Sequence, residues 1–143
     1  MRYLIIPIFV FSFFLMHCDS TTEPQPPKCD PISDPSKQIE IVYPTANEIL
    51  KIGETINIQW KARPGLGSVG LSLEIGPERK NIFDKSILVP DGQDAVCMDT
   101  AWIAGKVIDK NNPMIDQDID AFLVVYNYNS PRENDRVLVK LRK

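Results

Sequence analysis

The sequence predicts an all-β domain, and three observations favour this class. Apolar residues alternate with polar ones in several short runs after Ile39, as expected for strands with one buried face. These runs are separated by glycine, proline, asparagine and aspartate, which favour turns. No segment between them repeats apolar residues at helical spacing over an appreciable length. With 143 residues, 43% hydrophobic and 24% charged, the chain has the composition of one globular domain.

The predicted strands follow one another from Ile39 to the end of the chain. Those with the clearest alternation cover residues 39–43, 55–60, 69–75 and 137–141. Residues 121–128 are apolar on both faces, which predicts a central strand. Less regular strands are predicted over residues 82–83, 87–89 and 96–103. About seven short strands within residues 38–143 are typical of an antiparallel immunoglobulin-like β-sandwich.

The first residues have the features of an export signal. Arg2 precedes an apolar run over residues 3–16, which is shorter than the about 20 residues that a transmembrane helix needs. The following LMHC at residues 15–18 resembles the bacterial lipobox, although His17 stands where that pattern prefers a small residue. The resemblance implies a signal peptide over residues 1–17 and a lipid on Cys18. An ordinary signal peptide with an incidental cysteine is the alternative.

Residues 18–37 combine five prolines, at positions 24, 26, 27, 31 and 35, with serine, threonine and acidic residues. Such a composition predicts an extended tether, with about 3.1 Å per residue in the polyproline conformation. The tether would hold the domain of residues 38–143 away from a membrane. We therefore predict a lipid-anchored protein of the bacterial cell envelope, located in the periplasm or on the cell surface.

The three cysteines of the chain fit this location. With Cys18 assigned to lipid, Cys29 and Cys97 remain as an even pair in an exported protein, which predicts a disulfide between them. The bond would join the end of the tether to the body of the domain. A buried thiol at Cys97 with an exposed thiol at Cys29 is the alternative.

The first strands also resemble a known family. IEIVYPTANEILKIGETINIQWKA, at residues 39–62, resembles the opening of the Kre/Knh-type domain, which occurs in fungal Ser/Thr-rich GPI-anchored wall proteins and as an Ig-like module in secreted bacterial proteins. The shared frame is Pro44, Glu48, Leu50, Gly53, Glu54, Ile58 and Trp60. VGLSLEI at residues 69–75 and FLVVYNYNSPREND at residues 122–135 also look like this family, and Trp102 can stand for a tryptophan that it often shows. The resemblance implies an Ig-like fold in a cell-wall setting and no catalytic residues.

Aromatic residues are the candidates for contacts with a sugar. Trp60 ends an alternating strand where Ig-like sandwiches bury a tryptophan, so we predict that it belongs to the core. Trp102, Tyr126 and Tyr128 are candidate stacking residues, because an exposed ring at a sandwich edge can pack against a sugar ring. Core or ordinary surface positions are the favoured alternative for these three side chains.

Asp116, Asp118 and Asp120 supply oxygen atoms at alternate positions, which makes them a candidate calcium site. An EF-hand loop that starts at Asp116 would need glycine at its sixth position and glutamate at its twelfth. Ala121 and Asn127 stand there instead. We therefore predict a solvated acidic connection between two strands, without metal or other cofactor.

The amino-acid composition excludes some classes of function and argues against others. The only histidine, His17, lies before the predicted cleavage point, so histidine-dependent catalysis is excluded for the mature chain. The formal charge is −3 and no run of lysine or arginine occurs, which argues against nucleic acid as a partner. We predict a non-enzymatic binding or scaffolding module that contacts polysaccharide or another envelope protein. The alternative is a small carbohydrate-active enzyme of the envelope that uses two facing carboxylates.

Overall fold

In a computed structural model, which describes residues 30–92 and 94–143, the alternating segments form nine strands in two sheets. The strands are β1 (Ile39–Tyr43), β2 (Glu48–Lys51), β3 (Thr55–Ala62), β4 (Ser68–Ile75), β5 (Glu78–Asn81), β6 (Ile87–Leu88), β7 (Val96–Ile103), β8 (Ile119–Asn127) and β9 (Asn134–Arg142). The smaller sheet has the order β1-β3-β7. The larger sheet has the order β2-β9-β8-β4-β5, with β6 also paired to β4. This arrangement confirms the predicted all-β, immunoglobulin-like sandwich.

The core lies between the two sheets and is formed by alternate residues of their strands. Ile58 and Trp60 of β3 project into it from the smaller sheet, and the apolar positions of β4, β8 and β9 project from the larger one. The fully buried larger-sheet residues include Leu71, Leu73, Leu123, Val125, Val139 and Leu141. Full burial of one such aliphatic side chain contributes about 1.5–3 kcal/mol. The predicted core position of Trp60 is confirmed.

Two strands differ from the sequence prediction. β2 is absent from the predicted strands, because its sequence EILK shows no alternation of apolar and polar residues. Only Leu50 of its four residues is buried. It pairs with β9 in parallel, so the larger sheet is mixed and not purely antiparallel. β5 covers residues 78–81 and not 82–83, since the turn at Gly76 places Glu78 directly opposite Ile75. Ile82 instead leaves the strand and is buried in the core.

The end of the predicted tether is attached to the domain. Ile32 is buried, and the Lys37 ammonium donates a 2.8 Å hydrogen bond to Asp135 Oδ1. The second oxygen of Asp135 accepts a 2.9 Å hydrogen bond from the backbone N–H of Ile41. The hydrogen bond to Asp135 raises the pKa of Lys37. This carboxylate therefore links the N-terminal segment and β1 to β9.

The predicted signal peptide, Cys18, Cys29 and most of the predicted tether lie outside the described residues. Within residues 30–92 and 94–143, no helix has the length and apolar character needed to span a membrane.

Candidate ligand-binding face

The outer face of the larger sheet carries a group of side chains that we call the arginine–aromatic cluster. Its members come from four adjacent strands and are Glu74, Arg79, Phe122, Tyr126 and Arg136. Strand register brings them together, since Glu74 of β4 lies opposite both Arg79 of β5 and Phe122 of β8. The cluster thus unites residues that are far apart in the chain.

Tyr126 lies against the sheet because its partner on β4 is Gly70. A Cβ atom at position 70 would overlap the tyrosine ring, so only glycine leaves this space. The Arg79 guanidinium covers the other side of the ring, with its central carbon 4.6 Å from the ring centroid. The tyrosine hydroxyl donates to Asn81 Oδ1 at 3.4 Å. Tyr126 is therefore buried, and its ring supports the Arg79 guanidinium.

Phe122 and Arg136 form a second, more open pair. The guanidinium carbon of Arg136 lies 5.0 Å from the Phe122 ring centroid, and Phe122 is 38% exposed. Glu74 lies between the two pairs, with one oxygen 3.2 Å from Arg79 Nη2 and the other 3.8 Å from Arg136 Nη1. Each cation–π contact is worth about 0.5–1 kcal/mol at an exposed site. The two aromatic rings and the Glu74 carboxylate together orient the guanidinium groups of Arg79 and Arg136 on one surface.

Ser72 adds an unusual feature to this face. It lies between Gly70 and Glu74 on β4, at a position that the alternation predicts to be exposed. The side chain is instead fully buried, and its hydroxyl has no hydrogen-bond partner among the described residues. A buried polar group without a partner costs about 1–3 kcal/mol. The outer face of β4, predicted to be solvated, is therefore covered at Ser72.

Further cations surround the cluster on the same side of the larger sheet. Lys140 and Arg142 lie on the same side of β9 as Arg136, four and six residues further on, and Lys51 of β2 is paired with Arg142 in register. Arg142 donates a 2.7 Å hydrogen bond to Asp120 Oδ1. The exposed Ile49 lies opposite Lys140. Positive charge is therefore concentrated on one face of a chain whose formal charge is −3.

The three candidate stacking residues do not form one surface. Trp102 is 2% exposed and its indole N–H donates a 2.8 Å hydrogen bond to the Lys106 carbonyl, so it is a core residue. Tyr126 is buried beneath Arg79. Tyr128, which follows β8, is 55% exposed. The candidate stacking role is therefore wrong for Trp102 and Tyr126, and the favoured alternative of a core position is confirmed for Trp102, whose ring faces the space between the sheets.

The acidic connection before β8 does not gather its three aspartates. Asp120 is paired with Arg142, and Asp118 accepts a 2.9 Å hydrogen bond from the backbone N–H of Lys143. Asp116 is exposed. In the part of the chain that the structure describes, no group of three or more histidine, cysteine, aspartate or glutamate residues could hold a metal ion. The candidate calcium site is therefore not assembled, since the chain end engages two of its members.

Cys97 lies on the solvent side of β7, directly opposite Lys61 of β3. The Lys61 ammonium is 3.4 Å from the carbonyl oxygen of Pro31, which it contacts as a hydrogen-bond donor. Pro31, two positions after Cys29 in the sequence, therefore lies beside this part of the smaller sheet. Since Cys29 itself is not among the described residues, the disulfide stays a prediction.

Sequence reasoning missed Glu74, Arg79 and Arg136 as members of a site. Each is an ordinary charged residue in its local context, and only pairing among four strands makes them neighbours. The fold and this face define the protein class as an immunoglobulin-like β-sandwich with an arginine–aromatic outer surface. Comparisons with protein-family models, curated proteins and solved structures gave no significant match.

Proposed function

We propose that this chain is a lipid-anchored, extracytoplasmic binding or scaffolding module of the bacterial envelope, and that it contacts polysaccharide through the outer face of the larger sheet. The observation that carries this proposal is the arginine–aromatic cluster. It offers a partly exposed ring and two oriented guanidinium groups on the outer face of one sheet. Aromatic side chains with a few well-placed polar groups are typical of ligand-binding sites.

The carboxylates on this face favour binding over catalysis. A glycoside hydrolase needs two carboxyl groups that flank the scissile bond, about 5–5.5 Å apart in retaining enzymes and about 6.5–9.5 Å apart in inverting ones. Glu74 contacts Arg79 and Arg136, and Asp120 is paired with Arg142. Both carboxylates are therefore engaged by arginine side chains, whereas a hydrolase needs two carboxyl groups that reach the scissile bond.

The lipobox-like residues and the proline-rich segment support the anchored location, and the resemblance of residues 39–62 to Kre/Knh-type domains agrees with a setting at a cell wall. The anchor can be tested by metabolic labelling with a fatty-acid analogue. We expect label on the wild-type protein and none on Cys18→Ser, which should also lose firm membrane association. Equal labelling of the two forms would contradict lipid attachment at Cys18.

Binding through the proposed face can be tested on a glycan array with the exported protein purified in detergent. We expect the wild type to bind at least one class of polysaccharide, and Phe122→Ala to weaken that binding at least about fivefold, as for a contact worth about 1 kcal/mol. Val42→Ala is the matched control, since Val42 is an exposed apolar residue of β1 in the smaller sheet.

The control variant should bind like the wild type. An array on which the wild type binds no polysaccharide would refute the proposed function. Equal weakening by the two variants would show that the contact is not on the larger sheet.

A further inference from the structure

We infer that the ligand of this face is an acidic polysaccharide, with carboxylate groups repeated along an extended sugar chain. This inference rests on the proposed function and specifies its substrate class. The chemistry that recognises the polymer is a set of guanidinium and ammonium groups beside an exposed aromatic ring. A polyuronate has the required features, because it combines pyranose rings with one carboxylate on each residue.

The charges of this face are complementary to those of an acidic polymer. The cations at outward register positions of the larger sheet are Lys51, Arg79, Arg136, Lys140 and Arg142, against the carboxylates of Glu74 and Asp120. Glu54, in the turn after β2, contacts Lys51 at 3.4 Å, so five cations stand against three carboxylates. The whole chain is acidic, with a formal charge of −3. Opposite charges on two partners guide their encounter and fix their relative orientation. A neutral glucan would leave these cations without a role in binding.

The spacing of the cations on β9 also fits a polymer. Arg136, Lys140 and Arg142 lie at even-numbered positions of this strand, with Leu138 between the first two, so they point to the same side of the sheet. At about 3.4 Å per residue, Lys140 and Arg142 are about 7 Å apart along the strand, and Arg136 and Lys140 about 14 Å apart. A row of cations over this length fits an extended polyanion better than a single small anion.

The orientation of the two cluster arginines also favours an acidic ligand. The Tyr126 ring supports Arg79 and the Phe122 ring supports Arg136, and a guanidinium that lies over a ring keeps its N–H edges for a carboxylate. Glu74 now contacts both of these groups. A carboxylate of the ligand would share or replace the contacts of Glu74. Glu74 is therefore a competitor of the ligand within its own site.

The geometry also favours a sugar chain over an acidic peptide. Peptides commonly bind a sheet by adding a strand to its edge, where backbone groups are unpaired. Three of the five cations here lie on β9, which is paired on both sides, and the Arg79 guanidinium lies over the Tyr126 ring of β8. Phe122, whose ring also contacts the Arg136 guanidinium, is 38% exposed and leaves apolar surface for contact with a sugar ring.

The test measures binding of the exported protein in detergent to polygalacturonate and to its methyl ester, which keeps the sugar chain and removes the charge. We expect tight binding only to the acid form, with affinity that falls as salt is raised, because salt screens exposed charges. Arg79→Gln and Arg136→Gln should each weaken binding about tenfold, as for loss of one charge-assisted hydrogen bond. Lys61→Gln, on the outer side of the smaller sheet, is the charge-matched control and should bind like the wild type.

Glu74→Gln tests for a gain of binding, which would not occur if Glu74 had only a structural role. It removes the competing carboxylate and should strengthen binding to polygalacturonate several-fold, whereas a structural Glu74 would make the variant bind more weakly. Equal binding of the ester and the acid, weakened by Phe122→Ala, would overturn the acidic specificity and leave the proposed function standing. Equally tight binding of poly-glutamate would overturn the choice of a sugar chain. Binding to neither polysaccharide would overturn the inference.

Discussion

Replacement of Trp102 by alanine is expected to destabilise the domain by about 3–5 kcal/mol, the usual cost of deleting a buried tryptophan. Trp102 is 2% exposed, and it faces the core from β7 beside Ile56 of β3. Because small domains are stable by only about 5–15 kcal/mol, the melting temperature should fall on the order of 15 °C. Thermal melts followed by circular dichroism measure this effect.

Four further variants make the result specific. Trp60→Ala should show a loss of similar size, whereas Tyr128→Ala should stay within about 0.5 kcal/mol of the wild type, since Tyr128 is 55% exposed. Trp102→Phe removes the hydrogen bond to the Lys106 carbonyl, while the indole N–H of Trp60 has no hydrogen-bond partner in the described part of the chain. Trp102→Phe should therefore cost more than Trp60→Phe. A Trp102→Ala variant that melts like the wild type would contradict the core position of this residue.

Reduction of the predicted bond between Cys29 and Cys97 is expected to have a comparable effect. The 69 residues from Cys29 to Cys97 form a loop for which chain entropy gives about 4 kcal/mol of stabilisation. The 3.4 Å contact of Lys61 with the Pro31 carbonyl supports the pairing, because Lys61 lies opposite Cys97. With a urea dependence of about 1–2 kcal/mol per molar, the unfolding midpoint should fall by about 2–4 M on reduction.

The matched variant for this experiment is Cys97→Ser. It should unfold at the lower midpoint with or without reductant, and intact-mass measurement of the wild type with an alkylating reagent should show no modified Cys29 or Cys97 until reduction. Two alkylations of the non-reduced wild type at these positions would exclude the bond. A midpoint that reductant does not change would show that the bond does not stabilise the domain.

The alternation of apolar residues by itself determined the class of fold. Residues 55–60 and 69–75 alternate between apolar and polar side chains without interruption. Because successive side chains of a strand point to opposite faces, only one face of such a strand can be buried. The core position of Trp60 followed from the same pattern. Residues 96–103, predicted as a less regular strand, form β7 with the same bounds.

Tertiary structure alone decided three features. β2 has only Leu50 to bury, so its parallel pairing with β9 depends on a partner about 90 residues later in the chain. The orientation of Trp102 could not be read from the mixed pattern of β7, in which small and polar residues share both faces. The N-terminal segment is attached through Asp135, a residue with no local sign of such a role.

The candidate binding face depends most strongly on tertiary structure. The sequence places no basic run anywhere, because Arg79, Arg136 and Lys140 are separated in the chain or alternate with apolar residues. Pairing of β4, β5, β8 and β9 then brings cations and rings to one side of one sheet. Gly70 is the residue that permits this packing, since any Cβ atom there would occupy the position of the Tyr126 ring. Local patterns report which face of a strand is buried, whereas a site on the outer face arises from cross-strand neighbours, whose identity depends on sheet order and register.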